Sequence, residues 1–117
     1  MPASLGPGTI IVAGAHWPCA LHVHHWSETG MRFERLRMRT LPTRWIVNHW
    51  TASENRARDV WRNLGAHKSK AGKPEPLSIH FIIDQLGEIF QTADAQERCS
   101  HAPDHGGNNF GVGSEII

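Results

Sequence analysis

The chain has 117 residues, enough for one small domain, and 39% of them are hydrophobic and 20% charged. This composition is typical of a globular protein and excludes a disordered one. The net charge of +1 gives no electrostatic basis for binding nucleic acid or an anionic membrane. No apolar run reaches the 18 residues that a membrane-spanning helix needs. Nine histidines in so short a chain favour metal chemistry.

Residues 1–43 are predicted to form an N-terminal extension with edge strands. The apolar patch "GTIIVAGA" has no basic residues before it, which favours an edge strand over a signal peptide. Strands are predicted at Thr9–Ala13 and Leu21–Trp26, with a turn at "SETG". The alternating "MRFERLRMRT" predicts a further strand, whose arginines would form a solvated face: Arg32, Arg35, Arg37 and Arg39.

Residues 44–117 carry a clearer pattern. "RWIVNHW" is apolar on both faces, which predicts a strand in the middle of a covered sheet. Ser53 is a candidate N-cap for a helix with Ala57, Val60, Trp61 and Leu64 on one face, and Gly65 would end that helix.

Two further strands and a long loop follow that helix. "LSIHFIID" and "IFQTA" predict a hairpin, and the loop "DAQERCSHAPDHGGNN" leads to a last strand in "FGVGSEII". Cys19 and Cys99 form no CxxC motif, and they can either pair or remain free thiols. The strands and helix together predict an α/β (α+β) fold with a central mixed sheet flanked by helices.

His49, at the end of a predicted strand, has two readings on the residues alone. It is either a packed, hydrogen-bonded core residue or a metal ligand, and a catalytic zinc site would need two more donors. The candidate donors are the other histidines, His80, His101, His105 and the cluster His22, His24 and His25, although structural roles are favoured for most of them. His80 is expected to be buried and hydrogen-bonded, and His22, His24 and His25 to lie on a strand surface. His105 is expected to lie in a turn, with a surrogate ligand role as the alternative.

The order of "IVNHWTAS", a helix, "LSIHFIIDQLGEIFQTAD" and "SHAPDHGGNNFGVGSEI" resembles the zinc-dependent N-acetylmuramoyl-L-alanine amidases of type 2, a superfamily that includes the peptidoglycan recognition proteins. The resemblance covers residues 44–117, interpreted as the N-terminal portion of such a domain. It implies a peptidoglycan or muropeptide substrate and a Zn²⁺ cofactor. It also implies that His49 is one zinc ligand and that the other two lie beyond residue 117.

The resemblance assigns roles to four more residues. Glu115 matches the glutamate that positions or deprotonates the attacking water, and is the candidate catalytic residue. Trp50, His101 and Asn109 match positions beside the substrate cleft. Ile79 replaces the tyrosine of the phage enzymes, which favours the glutamate-using branch. "HAP" in place of "HAG" indicates an altered cleft loop.

The expected function is hydrolysis of the amide bond between the muramic acid lactyl group and L-alanine, in an endolysin-like or recycling context. The alternative is a non-catalytic peptidoglycan-binding module with an incomplete metal site. A metal-dependent nuclease, suggested by "NHW" and "DHGGNN", is disfavoured by the near-neutral charge. The expected location is the cytoplasm, or release at lysis if the protein is phage-encoded.

Overall fold

The computed structural model describes residues 8–33, 37–52, 54–101, 108 and 111–117. Within them, seven strands and two helices follow one another along the chain. The elements are β1 (Gly8–Val12), β2 (Ala15–Cys19), β3 (Val23–His24), α1 (Trp26–Thr29), β4 (Trp45–Trp50), α2 (Ala57–Gly65), β5 (Phe81–Ile83), β6 (Ile89–Gln91) and β7 (Gly111–Ile116).

Five of these strands form one mixed sheet in the order β3-β6-β5-β7-β4. β5 and β6 are the predicted antiparallel hairpin, whereas β7 runs parallel to both β5 and β4, and β3 runs parallel to β6. The predicted fold class, a mixed sheet with flanking helices, is confirmed.

β4 lies at one edge of this sheet, so the predicted central position of "RWIVNHW" is wrong. Within the described residues it pairs only with β7, and Ile46 and Trp50 are 75% and 78% exposed. The last strand of the chain takes the place beside β5, a long-range pairing that apolar periodicity does not encode. The apolar residues of β4 therefore form an exposed edge.

The N-terminal segment is only partly extended. β1 forms where the strand Thr9–Ala13 was predicted, and β2 pairs with it in the antiparallel direction. Of the strand predicted over 21–26, only Val23 and His24 are extended, as β3. The predicted turn "SETG" instead provides most of the short helix α1, and Gly30 ends that helix with a left-handed φ of 74°. β3 nevertheless joins the main sheet beside β6. The division of the chain at residue 43 stays a prediction.

The strand predicted over 31–40 is wrong in its described part. Met31 and Phe33 are buried against the core without a strand ladder, and a single bridge joins Met38 to Glu97. Arg39, predicted to be solvated, is only 6% exposed, and its guanidinium donates to the carbonyl of Ala95. The alternation reflects burial of these side chains by packing rather than pairing in a sheet.

The hairpin of β1 and β2 is fastened to the body by two polar side chains. The amide of the fully buried Gln91 accepts from the N–H of Ile11 and donates to its carbonyl, both at 2.8 Å. The carboxylate of Asp94 accepts from the N–H groups of Ala13 and Gly14 at 2.7 and 2.8 Å. These bonds give hydrogen-bond partners to backbone groups of β1 and of the turn that follows it.

The core lies between α2 and the sheet. The helix begins at Ala57, with Arg56 as its N-cap, and Ser53 lies outside the described residues. Its predicted apolar face is confirmed, because Ala57 and Val60 are buried and Trp61 and Leu64 pack beside them. The buried cluster consists of Met31, Phe33, Ala57, Val60, Ile79 and Ile82.

Both cysteines are free thiols, with Cys99 buried and Cys19 partly exposed. Over the ranges given above, neither helix has the length and apolar character needed to cross a membrane.

Candidate functional site

The site is centred on the paired ends of β4 and β7. His49 and Glu115 are direct partners in this parallel register, and the N–H of Thr51 continues the ladder by donating to the carbonyl of Ile116 at 3.0 Å. Paired residues on neighbouring strands project from the same face of a sheet. The imidazole predicted to bind metal and the carboxylate predicted to be catalytic therefore project from neighbouring positions.

His101 reaches this point from the loop after β6. Its Nδ1 atom lies 3.0 Å from Nε2 of His49, close enough for a hydrogen bond between the two rings. Two bonds join Ser78 and Ser100, at 2.7 and 3.1 Å, and hold the preceding residue beside the sheet. The N–H of His101 donates to Oδ1 of Asn108 at 3.0 Å. The position of His101 is thus held by bonds on both sides.

Gly113 makes room for the His101 ring. A Cβ atom added at Gly113 would lie 2.7 Å from Cγ and Nδ1 of His101 and 2.6 Å from Cδ1 of Ile79. These distances are far below van der Waals contact, so only glycine allows the ring to lie over β7 at this position. The His101 ring therefore crosses β7 at Gly113, two residues before Glu115.

His80 supports this arrangement from beneath, as a buried, hydrogen-bonded histidine, which confirms its predicted role. Its Nδ1 accepts from the N–H of Gly113 at 3.0 Å, so Nε2 carries the proton and donates to the carbonyl of Glu97 at 2.7 Å. Burial lowers the pKa of His80 to about 4. Its ring centroid lies 5.8 Å from that of His101.

Burial also shifts the titration of the three site residues. It lowers the pKa of His49, and it lowers that of His101 to about 4 with further contributions from the neighbouring His80 and His49 rings. Burial raises the pKa of Glu115. Near neutral pH both imidazoles are therefore uncharged, and the carboxyl group is a stronger base than a solvated one.

A cavity of about 370 Å³ opens beside the site. It is bounded by α2, by the end of β4 and by the start of the loop after α2, and Trp50 and Glu115 both line it. Trp50 is 78% exposed and offers a large flat surface at the rim. The remaining lining residues are Thr51, Asn55, Val60, Asn63, Leu64, His67 and Leu77.

The donors around His49 suit zinc in kind and fall short in number. Imidazole nitrogens and carboxylate oxygens are zinc ligands, and two nitrogens on one tetrahedral zinc lie about 3.3 Å apart for bonds of 2.0–2.1 Å. The 3.0 Å between His49 and His101 is close to that separation. Among the described residues, however, the three-donor group within 4.8 Å lies elsewhere, at His22, His24 and Glu28. The residues at His49 fit an incomplete zinc site.

The structure thus brings together four of the five residues predicted for the site: His49, Trp50, His101 and Glu115. Asn109 lies outside the described residues, as does His105, and the functional roles of all five stay predictions. Sequence reasoning missed Gly113. A glycine inside a strand pattern indicates a close approach by another group, and that signal was available in "GVGSE".

Solved structures with a similar fold include peptidoglycan recognition proteins. Drosophila PGRP-SA matches with a TM-score of 0.61 and 19% identity, over 81% of this chain and 57% of that one. A variant of Drosophila PGRP-LB in complex with tracheal cytotoxin matches with a TM-score of 0.57 and 18% identity, over 81% and 59%. The tracheal cytotoxin complex of PGRP-LCa and PGRP-LCx matches with a TM-score of 0.59 and 19% identity, over 81% of this chain and 60% of that one.

The chain spans about three fifths of the length of these solved relatives. A search of curated proteins finds no match. A family model, Amidase_2, described as N-acetylmuramoyl-L-alanine amidase, matches residues 39–117, which is more than half of the chain and includes β4, α2 and β5 to β7. The chain therefore belongs to the N-acetylmuramoyl-L-alanine amidase family Amidase_2.

Proposed function

We propose that this chain provides the substrate-binding face and part of the metal site of a zinc-dependent N-acetylmuramoyl-L-alanine amidase. The observation that carries this proposal is the juxtaposition of His49, His101 and Glu115 at the paired ends of β4 and β7. The bond cleaved is the amide between the lactyl group of muramic acid and L-alanine. The family match and the peptidoglycan recognition fold support a peptidoglycan ligand.

His49 is the proposed metal ligand: its neutral, partly buried ring points Nε2 at Nδ1 of His101, and metal binding to Nε2 would replace that hydrogen bond. When bound, zinc supplies Lewis acidity that polarises an amide carbonyl and acidifies water. Glu115, beside His49, accepts a proton from the attacking water and delivers it to the leaving amine. Its pKa, raised by burial, suits a base that must also act as an acid.

His101 and Trp50 are proposed to bind and orient the substrate. His101 is uncharged near neutral pH, so its ring lies beside the substrate without adding charge, with Nδ1 facing His49. Trp50 offers an exposed ring face at the cavity, against which a sugar or peptide stem packs. Two of the solved relatives were determined with tracheal cytotoxin bound, which supports a peptidoglycan fragment as the occupant.

A peptidoglycan-binding module without catalysis is the second candidate. It is favoured by one specific observation: at His49 the described residues supply two nitrogens and a carboxylate that do not converge within 4.8 Å. Such a module would retain Trp50, His101 and the cavity, and would not require Glu115 to move a proton.

One experiment separates the two functions. The chain is incubated with purified muropeptide and Zn²⁺, peptide release is followed by mass spectrometry, and muropeptide binding is measured in parallel by calorimetry. An amidase releases the stem peptide, and Glu115→Gln abolishes release while binding persists. A binding module binds without release, and Trp50→Ala weakens its binding. The matched control is Trp17→Ala, which removes an exposed tryptophan of β2. Absence of both binding and release would contradict both functions.

A further inference from the structure

A second group of donors lies at the opposite edge of the sheet from His49. His22 and His24 come from the outermost strand β3 and the residue before it, and Glu28 lies in α1. One ligand atom from each of these three residues lies within 4.8 Å of the other two. Glu88, just before β6, approaches from the neighbouring strand.

The local chain explains why these donors meet. His22 and His24 are two residues apart in an extended segment, so their side chains project on the same side, and their rings meet edge to face with centroids 4.8 Å apart. Val23, between them, is 4% exposed and pairs with Ile89, which fixes the segment to the sheet. Glu28 follows His24 by four residues, across the short helix.

Both ring nitrogens of His24 face carboxylates. Nδ1 lies 2.7 Å from Oε1 of Glu28, and Nε2 lies 3.4 Å from Oε2 of Glu88. A neutral ring with its proton on Nε2 donates to Glu88 and then points a lone pair at the carboxylate of Glu28. In that tautomer a metal ion can bind Nδ1 and the Glu28 carboxylate together, once the two atoms separate from 2.7 Å to the roughly 3.3 Å of tetrahedral coordination.

This geometry matches the way that proteins orient a metal-binding histidine. Such a histidine usually donates its other ring N–H to a carboxylate, which fixes the ring and increases its basicity. Glu88 is in that position relative to His24, and Phe90 stacks on the ring at a centroid distance of 5.1 Å. A cavity of about 270 Å³ adjoins the group, and Glu28, Glu88 and Phe90 are among its lining residues.

We propose that His22, His24 and Glu28 form a second metal site that binds Zn²⁺, with Glu88 as the hydrogen-bond partner of His24. Two imidazoles and one carboxylate are a zinc ligand set, in which water completes the tetrahedron. The site links α1 to the edge strand β3. It is independent of the proposed function, since four strand spacings of about 4.8 Å place it about 19 Å from β4.

The test measures Zn²⁺ binding to the tag-free chain by calorimetry, with Co²⁺ substitution to record the visible absorption of a tetrahedral site. His22→Ala and Glu28→Gln are expected to reduce the stoichiometry by one ion. Glu88→Gln is expected to weaken the affinity about 10–100-fold, the usual cost of losing such a partner. Glu28 is half exposed, so its substitution leaves the fold intact, which circular dichroism checks.

Two controls keep the result specific. His67→Ala removes a histidine from an exposed pair with Glu75, where the side chains lie 4.0 Å apart, and should leave Zn²⁺ binding unchanged. His49→Ala should also leave this site loaded, because it alters only the opposite edge of the sheet. Unchanged stoichiometry and affinity in both His22→Ala and Glu28→Gln would overturn the proposal. So would loss of all Zn²⁺ binding in His49→Ala alone.

Discussion

The Nε2 atom of His49 lies 3.0 Å from the Nδ1 atom of His101, although the two residues are 52 positions apart in the chain. The contact joins the edge strand β4 to the loop after β6, and it passes over the backbone of Gly113. One of the two nitrogens must carry the proton of this hydrogen bond, and the other accepts it. The contact therefore links the proposed metal ligand to a proposed substrate-binding residue.

Gly113→Ala is expected to break this contact. The added Cβ would lie 2.7 Å from the His101 ring and 2.6 Å from Ile79, so the ring must move away from His49. We expect a loss of about 1–3 kcal/mol in the free energy of unfolding, measured in urea, together with altered histidine NMR shifts. The control is Gly65→Ala, where an added Cβ contacts nothing within 4 Å. Unchanged His101 resonances in Gly113→Ala would contradict the close packing.

Glu97→Ala is expected to destabilise the fold strongly. The Glu97 carboxylate is 2% exposed, and it pairs with the guanidinium of Arg32 and accepts from the N–H of Asp94 at 3.1 Å. Removing one partner leaves the other charge largely buried, which costs about 3–5 kcal/mol. Chemical denaturation measures this loss. Glu75→Ala, at a side chain 60% exposed, should change stability by less than about 0.5 kcal/mol. Equal effects of the two substitutions would rule out the buried pair.

Stability is expected to fall on acidification because His80 is held neutral in the fold. Its pKa is about 4 in the folded chain and 6.5 in the unfolded chain. Between pH 4 and pH 6.5 the unfolded chain therefore binds a proton that the folded chain does not. The contribution is fully present above pH 6.5 and is lost as the pH falls towards 4, by up to about 3 kcal/mol. Urea denaturation between pH 4 and 7 in a metal chelator measures this dependence.

A variant isolates the part of this pH dependence that comes from His80. His80→Gln retains one donor and one acceptor without a titrating group, so the slope of unfolding free energy against pH should decrease by about one proton. His101, whose pKa is also about 4, continues to contribute a slope of the same sign. An unchanged slope in His80→Gln would show that His80 is not held neutral by the fold.

The two cysteines are expected to differ in reactivity. Burial raises the pKa of the Cys99 thiol to about 12, so at neutral pH it holds almost no thiolate and is screened from reagents. A thiol reagent should modify only Cys19 in the native chain and both residues in denaturant. Mass spectrometry counts the modified thiols, and a Cys19→Ser variant should show none before unfolding. Rapid native labelling of Cys99 would mean that its surroundings open readily.

Local patterns in the sequence predicted the elements whose partners are near in the chain. The spacing of Ala57, Val60, Trp61 and Leu64 identified the buried face of α2, and "QLGE" between two apolar runs identified the β5–β6 hairpin. The same local reasoning predicted that His80 is buried and hydrogen-bonded. It failed at Arg39, because alternation along the chain does not show which side chains a distant loop covers.

The amino-acid sequence by itself determined the fold class, the helix face, the hairpin and the membership of the amidase family that the ordered motifs indicated. The tertiary structure alone decided that β4 lies at an edge with Trp50 exposed, that His101 reaches His49 over Gly113, and that His24 lies between two carboxylates. The physical reason is that helices and hairpins depend on contacts a few residues apart. Strand order and side-chain clusters depend on pairings across 50 residues or more, which local periodicity does not specify.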